Sequence, residues 1–264
     1  MTIETESIES TERERDHVGS LMKGLGVVEI LAAHPAGLTL TEMAETAGLT
    51  RAGARRFLLT LVAAGYATQS GRRFQLSSRL LALARTWLQG TPLWIFAEPF
   101  MRDLSATFNE SCSAAILAGE DVVYVARAPS RAILSVTLNI GTRLPAYCTS
   151  MGKVLLSGLD EGQFTAFLEK ASLKPNTPKT ITDRAILRET IKKVRRDGFA
   201  IADEELELGL RSIAVPIHDG TGRIVAALNV STQTARLSVA EMKREILPKL
   251  KTAAARIEDY FLVQ

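Results

Sequence analysis

Cysteine is scarce: the 264 residues contain two, Cys112 and Cys148, far apart and without a Cys-x-x-Cys spacing. That excludes a disulfide framework and a cysteine-based zinc site. The three histidines, His17, His34 and His218, have no His-x-x-x-His or Cys partners, so neither a metal nor another cofactor is expected. Long apolar runs are also missing; Gly, Pro or Arg interrupts each well short of a membrane span, and no membrane partner is expected. The first residues are acidic (Glu4, Glu6, Glu9, Glu12, Glu14 and Asp16 against Arg13 and Arg15), the reverse of a signal peptide's basic start. Residues 1–17 are expected to be a disordered acidic tail, and the protein to be cytoplasmic.

The most informative absence is of charge of one sign. Between Thr46 and Ala97 there is no acidic residue and no lysine, yet there are seven arginines: Arg51, Arg55, Arg56, Arg72, Arg73, Arg79 and Arg85. This stretch carries +7 in a chain whose formal total is +3, so everything else sums to −4. Such segregation is costly in self-repulsion unless a polyanion sits opposite it, and arginine without acidic neighbours is the footprint of phosphate-backbone binding.

The local patterns around these arginines give them a scaffold. Ser20 to Ala33 has helical apolar spacing that His34-Pro35 ends. Thr39-Leu40-Thr41-Glu42 has the form of a capping box and opens a helix through Ala47. Gly48 supplies a left-handed turn, Leu49 plugs it into the core, and Thr50 caps a helix over 51–64 closed by Gly65. Tyr66–Gln69 and Phe74–Leu76 flank Ser70-Gly71-Arg72-Arg73 as a hairpin with a basic tip. Three helices and a basic hairpin predict a winged helix-turn-helix over 18–78 that docks double-stranded operator DNA. Thr50, Arg51, Ala52, Arg55 and Arg56 lie at the end of the second helix that meets base edges. Arg72 and Arg73 at the hairpin tip are expected on phosphate or in the minor groove.

Leu80–Leu88 reads as an amphipathic helix within a linker over 79–90, broken at Gly90-Thr91-Pro92. The rest, 91–264, mixes strands (113–117, 122–127, 133–138, 210–217, 224–230) with helices (151–157, 161–169, 183–196, 239–260), an α+β sensing and oligomerising domain. Thr149-Ser150 precedes the helix at Met151, so free N–H groups and the positive helix end favour a small carboxylate. Asn229 and Ser231 alternate onto one strand face, with Ser212 on the neighbouring strand.

Three segments together, GLTLTEMAETAGLTRAGARRFLLTLVAAGYAT with the following FQLS, TSMGKVLLSGL (149–159) and EELELGLRSIAVPIHD (204–219), resemble the IclR-type transcriptional regulators over nearly the whole chain. LRSIAVPI and the downstream ALNVST are most similar, within that family, to regulators of protocatechuate, 4-hydroxybenzoate and β-ketoadipate catabolism. The resemblance implies a GAF-like effector domain whose pocket uses Ser150, Met151, Ser212, Asn229 and Ser231, and a small aromatic or dicarboxylic acid as effector; operator symmetry favours a homodimer through Leu80–Leu88 and neighbouring helices, and the resemblance implies a dimer of dimers. Ala202 departs from the family pattern, which has an acidic residue or serine there.

The sequence offers two alternatives, the first a serine hydrolase with a nucleic-acid-binding appendage. Ser150-Met151-Gly152-Lys153 matches the Ser-x-x-Lys of some serine acylases, but the accompanying Ser-x-Asn and Lys-Thr-Gly elements are missing, and Lys179-Thr180 is followed by Ile181. A helix cap explains the segment better, and no catalytic residues are expected. The other alternative is a DNA-binding protein without an effector.

Overall fold

The capping box at Thr39 forms as its residue types require: Glu42 N–H donates to Thr39 Oγ1 at 3.3 Å while Thr39 N–H donates to the Glu42 carboxylate at 2.7 Å. In the computed structural model, residues 18–80, 82–83, 92–130 and 138–262 are described. The chain divides into two compact units, 1–90 and 91–264. The acidic tail, most of the 80–88 helix and nearly all of the 133–138 strand lie outside the described residues.

In the first unit, α1 (Gly19–Ala33), α2 (Leu40–Thr46) and α3 (Arg51–Ala63) surround Val27, Leu31, Met43, Ala54 and Leu58, all essentially inaccessible. Gly48 links α2 to α3 at φ +61°, the left-handed conformation that a side chain would strain. Strands β1 (Leu38–Thr39), β2 (Ala67–Ser70) and β3 (Arg73–Leu76) form a sheet in the order β1-β3-β2, with β1 registered Leu38 to Phe74 and Thr39 to Arg73. This is a winged helix-turn-helix; the two-residue β1 is too short to announce itself in sequence.

The second unit opens with a helix that its prolines conceal, α4 (Pro92–Phe108), which contains Pro99. Pro92 stands at the first helical position, where no N–H is needed. Pro99 gives up one hydrogen bond, and burial of Leu93, Trp94, Ala97, Met101 and Leu104 outweighs it. Then follow β4 (Ser111–Ala118), β5 (Asp121–Ala128), β6 (Arg143–Pro145), α5 (Ser150–Ser157), α6 (Glu161–Lys170), α7 (Arg184–Asp197), β7 (Ala200–Asp203), β8 (Leu210–His218) and β9 (Ile224–Gln233). The sheet is antiparallel throughout, in the order β6-β5-β4-β9-β8-β7. The expected final helix is not uniform. It starts as α8 (Val239–Glu241), widens into a π turn at Met242–Ile246, and continues as α9 (Leu247–Glu258). Pro248 has no N–H and crowds the preceding turn, and Leu247 N–H reaches back to Met242 O instead.

Alternation along the strands sorts the sheet into two faces. Ala114, Val125, Ile213, Val215, Leu228 and Val230 face α4 and α9. Ala115, Ala200, Ala214 and Ala227 face α5 and α7. These four alanines let α5 lie close against the sheet, and every residue of α5 is buried. Towards the other end of the same face, the alanines give way to Ser111, Ser113, Arg127, Ser212, Asn229 and Ser231.

Candidate functional site

On the first unit, Thr50 Oγ1 accepts a hydrogen bond from Gly53 N–H at 3.1 Å and so starts α3. Thr50, Arg51, Ala52, Arg55 and Arg56 are all exposed, while Ala54 and Leu58 of the same helix are buried. Arg51 and Arg55 converge with Arg72, at the wing tip, on a groove of about 460 Å³. Arg56 points elsewhere and borders an apolar groove with Phe57, Leu21 and Leu25. Arg73 departs from the expectation of a free tip residue. Its guanidinium donates to Gly37 O at 2.7 Å and lies 3.6 Å from the Glu42 carboxylate. The reason is register: β3 sets Arg73 opposite Thr39, the cap of α2, and so beside Glu42. Arg79 is likewise occupied, over the Tyr66 ring and bonded to Ala64 O.

On the second unit, the polar end of the sheet, the start of α5 and the segment after β7 enclose a cavity of about 50 Å³. All five residues expected to bind effector, Ser150, Met151, Ser212, Asn229 and Ser231, line it. Two registered rows cross its floor: Arg127–Ser113–Asn229–Ala214 and Ser111–Ser231–Ser212–Ala202. Thr149 Oγ1 caps α5 by accepting from Gly152 N–H at 3.1 Å. The helix begins at Ser150, one residue earlier than expected, and the Ser150 and Met151 amides stand in its first turn with no preceding helical carbonyl to reach.

Polar groups around this cavity are left unsatisfied in a telling way. Among the described residues, the buried side-chain atoms without a hydrogen-bond partner are Arg127 Nη1, Ser150 Oγ, Glu205 Oε2 and Asn229 Oδ1. All four residues line this one cavity. Each such orphan costs on the order of 1–3 kcal/mol, a strain a fold retains where a ligand supplies the missing partner.

Arg127, Ser111, Ser113 and Glu205 were not singled out from the sequence. Arg127 was legible as one cation in the otherwise apolar Val122–Ala128. Glu205 was hidden in the acidic run Asp203-Glu204-Glu205, which reads as a solvated surface. In the structure, Glu205 is 7% exposed and forms a buried ion pair, through Oε1, with Lys153 Nζ. Burial raises the Glu205 carboxyl above its ordinary range, against the pull of Lys153. It also lowers the Arg127 guanidinium.

This geometry speaks against the acylase alternative. Lys153 is engaged by Glu205, and Ser150 Oγ has no partner to activate it. Burial pushes the neighbouring Cys148 thiol up to about 11, so it stays protonated and unreactive. Groups of three or more His, Cys, Asp or Glu able to hold a metal do not occur among the described residues. No described helix is long and apolar enough to cross a membrane.

Comparison with known proteins agrees with this anatomy. Residues 20–71 match the IclR helix-turn-helix domain, and residues 85–259 match the C-terminal domain of bacterial IclR transcriptional regulators. The chain is 40% identical over 240 residues to the Pca regulon regulatory protein of Pseudomonas putida, covering 90% of this chain and 82% of that one. It is 36% identical over 252 residues to the p-hydroxybenzoate hydroxylase transcriptional activator of Acinetobacter baylyi, covering 94% and 93%. A solved IclR homologue from Microbacterium hydrocarbonoxydans, complexed with 4-hydroxybenzoate, superposes with a TM-score of 0.81 at 25% identity, over 93% of this chain and 100% of that one. With a capped helix-turn-helix, a basic wing and an antiparallel sheet enclosing a polar cavity, the chain belongs to the IclR family of bacterial transcriptional regulators.

Proposed function

We propose that this regulator controls genes of aromatic-acid catabolism and that its cavity takes a small aromatic or dicarboxylic acid as effector. The observation that carries the reading is the convergence of four unpartnered buried polar atoms on one cavity. In this reading a ligand carboxylate meets the first-turn amides of Ser150 and Met151 at the positive end of α5, while Ser212, Asn229 and Ser231 orient the remainder. The Pseudomonas and Acinetobacter relatives, and the 4-hydroxybenzoate held by the Microbacterium homologue, support the aromatic class. At about 50 Å³ the cavity has room for a few water molecules.

We assign residues 18–78 to DNA binding, 79–90 to a linker and 91–264 to effector binding and oligomerisation. Thr50, Arg51, Ala52 and Arg55 present the start of α3 to the major groove, Arg56 and Arg72 hold phosphates, and Arg73 braces the wing. A homodimer or dimer of dimers supplies one helix-turn-helix to each half of a symmetric operator. The protein binds rather than catalyses, and DNA as partner places it in the cytoplasm.

The test is a ligand series on the purified full chain, monitored by thermal melting. An effector at 100 times its dissociation constant stabilises the folded state by about 2.7 kcal/mol, and Ser150→Trp, which fills the cavity, removes that gain while operator binding survives. Equal stabilisation of the Ser150 variant, or no response to any aromatic acid or dicarboxylate, refutes the assignment.

A further inference from the structure

Accepting the DNA-facing assignment of Arg51, Arg55 and Arg72, the first unit offers these cations almost no counter-charge of its own. All three are exposed and line one groove. Among the described residues, no acidic side chain forms an ion pair with them; Glu42 is engaged by its capping box and by Arg73. Glu29 and Glu45 are the other acids between Val18 and Gly90. The remaining six acidic side chains of this unit all fall in residues 1–17, against two arginines, a side-chain net of −4. That segment joins the fold at Val18, directly before α1. Ser20 and Leu21, in the first turn of α1, line one groove with Gly53, Arg56 and Phe57 of α3, and the Phe57 ring lies 3.6 Å from the position of a Cβ on Gly24. The acidic segment therefore leaves the fold beside the helix that carries the arginines. Seventeen residues extend at most about 55–60 Å, and a small domain is about 30 Å across, so the groove falls within its reach.

We propose that residues 1–17 lie over the groove of Arg51, Arg55 and Arg72 in the DNA-free protein and are displaced when DNA enters, an autoinhibitory contact made by the chain's own acidic segment. The chemistry imitates that of DNA. Glu4, Glu6, Glu9, Glu12, Glu14 and Asp16 present spaced carboxylates, and the planar fork of a guanidinium binds carboxylate and phosphate alike. Tethering makes the contact intramolecular. At an effective concentration on the order of 1 mM, a contact with a dissociation constant of about 0.1 mM lowers the apparent affinity for DNA about tenfold. Displacing the segment carries the same penalty at every sequence. Sites held by phosphate contacts alone, with dissociation constants of ~10⁻⁴–10⁻⁶ M, empty first, while an operator that adds base contacts stays filled. Arg13 and Arg15, set among the acids, moderate the attraction.

The experiment measures binding of the full chain to a random-sequence duplex by fluorescence anisotropy, over about 50–200 mM salt. The variant Glu4→Gln/Glu6→Gln/Glu9→Gln/Glu12→Gln/Glu14→Gln/Asp16→Asn keeps the length of the segment and removes its negative charge. It is expected to bind about tenfold tighter than wild type at the lowest salt, with a gain that shrinks as salt screens the contact. Arg13→Gln/Arg15→Gln makes the segment more acidic and is expected to bind more weakly than wild type. Both changes are repeated in an Arg51→Gln/Arg55→Gln/Arg72→Gln background, a cycle that separates direct contact from general charge. Docking on the groove predicts that the gain from neutralising the segment collapses in that background. An equal gain in both backgrounds means that the segment acts through net charge alone, and no gain in either means that it does not act on DNA binding; each overturns the proposal and leaves the DNA-facing assignment standing. An arginine background that binds DNA as wild type does overturns that assignment and the proposal with it.

Discussion

Gly152 is the second residue after the start of α5, directly above the turn that forms the lip of the cavity. A Cβ built on it falls less than 3 Å from the carbonyl oxygen, Cα and carbonyl carbon of Ala146. All three are backbone atoms of the short turn Ala146–Cys148, itself fully buried, so no side-chain rotation relieves the collision. Overpacking in a core typically costs 1–3 kcal/mol and more when backbone must move; Ala regains about 1 kcal/mol over Gly in helix propensity. The net expectation for Gly152→Ala is a loss of about 2 kcal/mol or more. For a unit of this size each kcal/mol lowers the melting temperature by about 2–4 °C, which differential scanning calorimetry resolves. Because Thr149 and Ser150 ride on the displaced turn, effector binding should fall with it. Gly26, in the middle of α1, is the control: nothing lies within 4 Å of its Cβ position, and Gly26→Ala should gain about 0.5–1 kcal/mol. A Gly152→Ala variant that melts at or above the wild-type temperature would refute the argument.

On the DNA side, Arg51→Ala or Arg55→Ala should cost about 1–3 kcal/mol at one operator position if the side chain reads a base, whereas Arg56→Ala should weaken all sequences and flatten the salt dependence by about one unit; equal, sequence-independent effects of all three would contradict the groove geometry. Arg72→Ala should reduce the salt slope without altering stability, and Arg73→Ala should lower the melting temperature by freeing Gly37 O and Glu42, so a thermally silent Arg73→Ala would remove its bracing role. Asp219 accepts hydrogen bonds from the Thr221 hydroxyl, Thr221 N–H and Arg223 N–H, led by the Thr221 hydroxyl, and its carboxyl is held far below the ordinary range. A depressed folded pKa stabilises above the unfolded value of about 3.9 and is lost as pH falls below it; the deficit of Asp219→Asn at neutral pH should therefore close on acidification, and a deficit constant with pH would show that the charge is irrelevant.

The helix-turn-helix was legible because its signals are local. Thr39 with Glu42, Gly48 and Thr50 each act within four residues, and the structure places each as its chemistry demands. The cavity was legible only in part, through the α5 cap and the alternation of Asn229 and Ser231. Arg127 and Glu205 act across the sheet, and whether such charges are buried depends on a register that a single strand does not disclose. Arg73 shows the same limit in the first unit: the basic tip was visible, but its pairing with Gly37 and Glu42 required knowing that β1 exists. Helix α4 was missed because Pro92 and Pro99 signal a break locally, while the apolar face that overrides them is satisfied by α9 and β5, remote in sequence.

The basic stretch has a chemical consequence of its own. Lys23 is the only lysine before Lys153, and between Thr46 and Ala97 every positive side chain is a guanidinium. A guanidinium keeps its proton far above physiological pH, and acyl groups that neutralise lysine amines have no target there. Neither alkalinisation nor acetylation can discharge this surface. The grip on DNA can be relaxed by screening ions or by carrying the arginines away from the phosphates, which makes displacement, not neutralisation, the currency of its control.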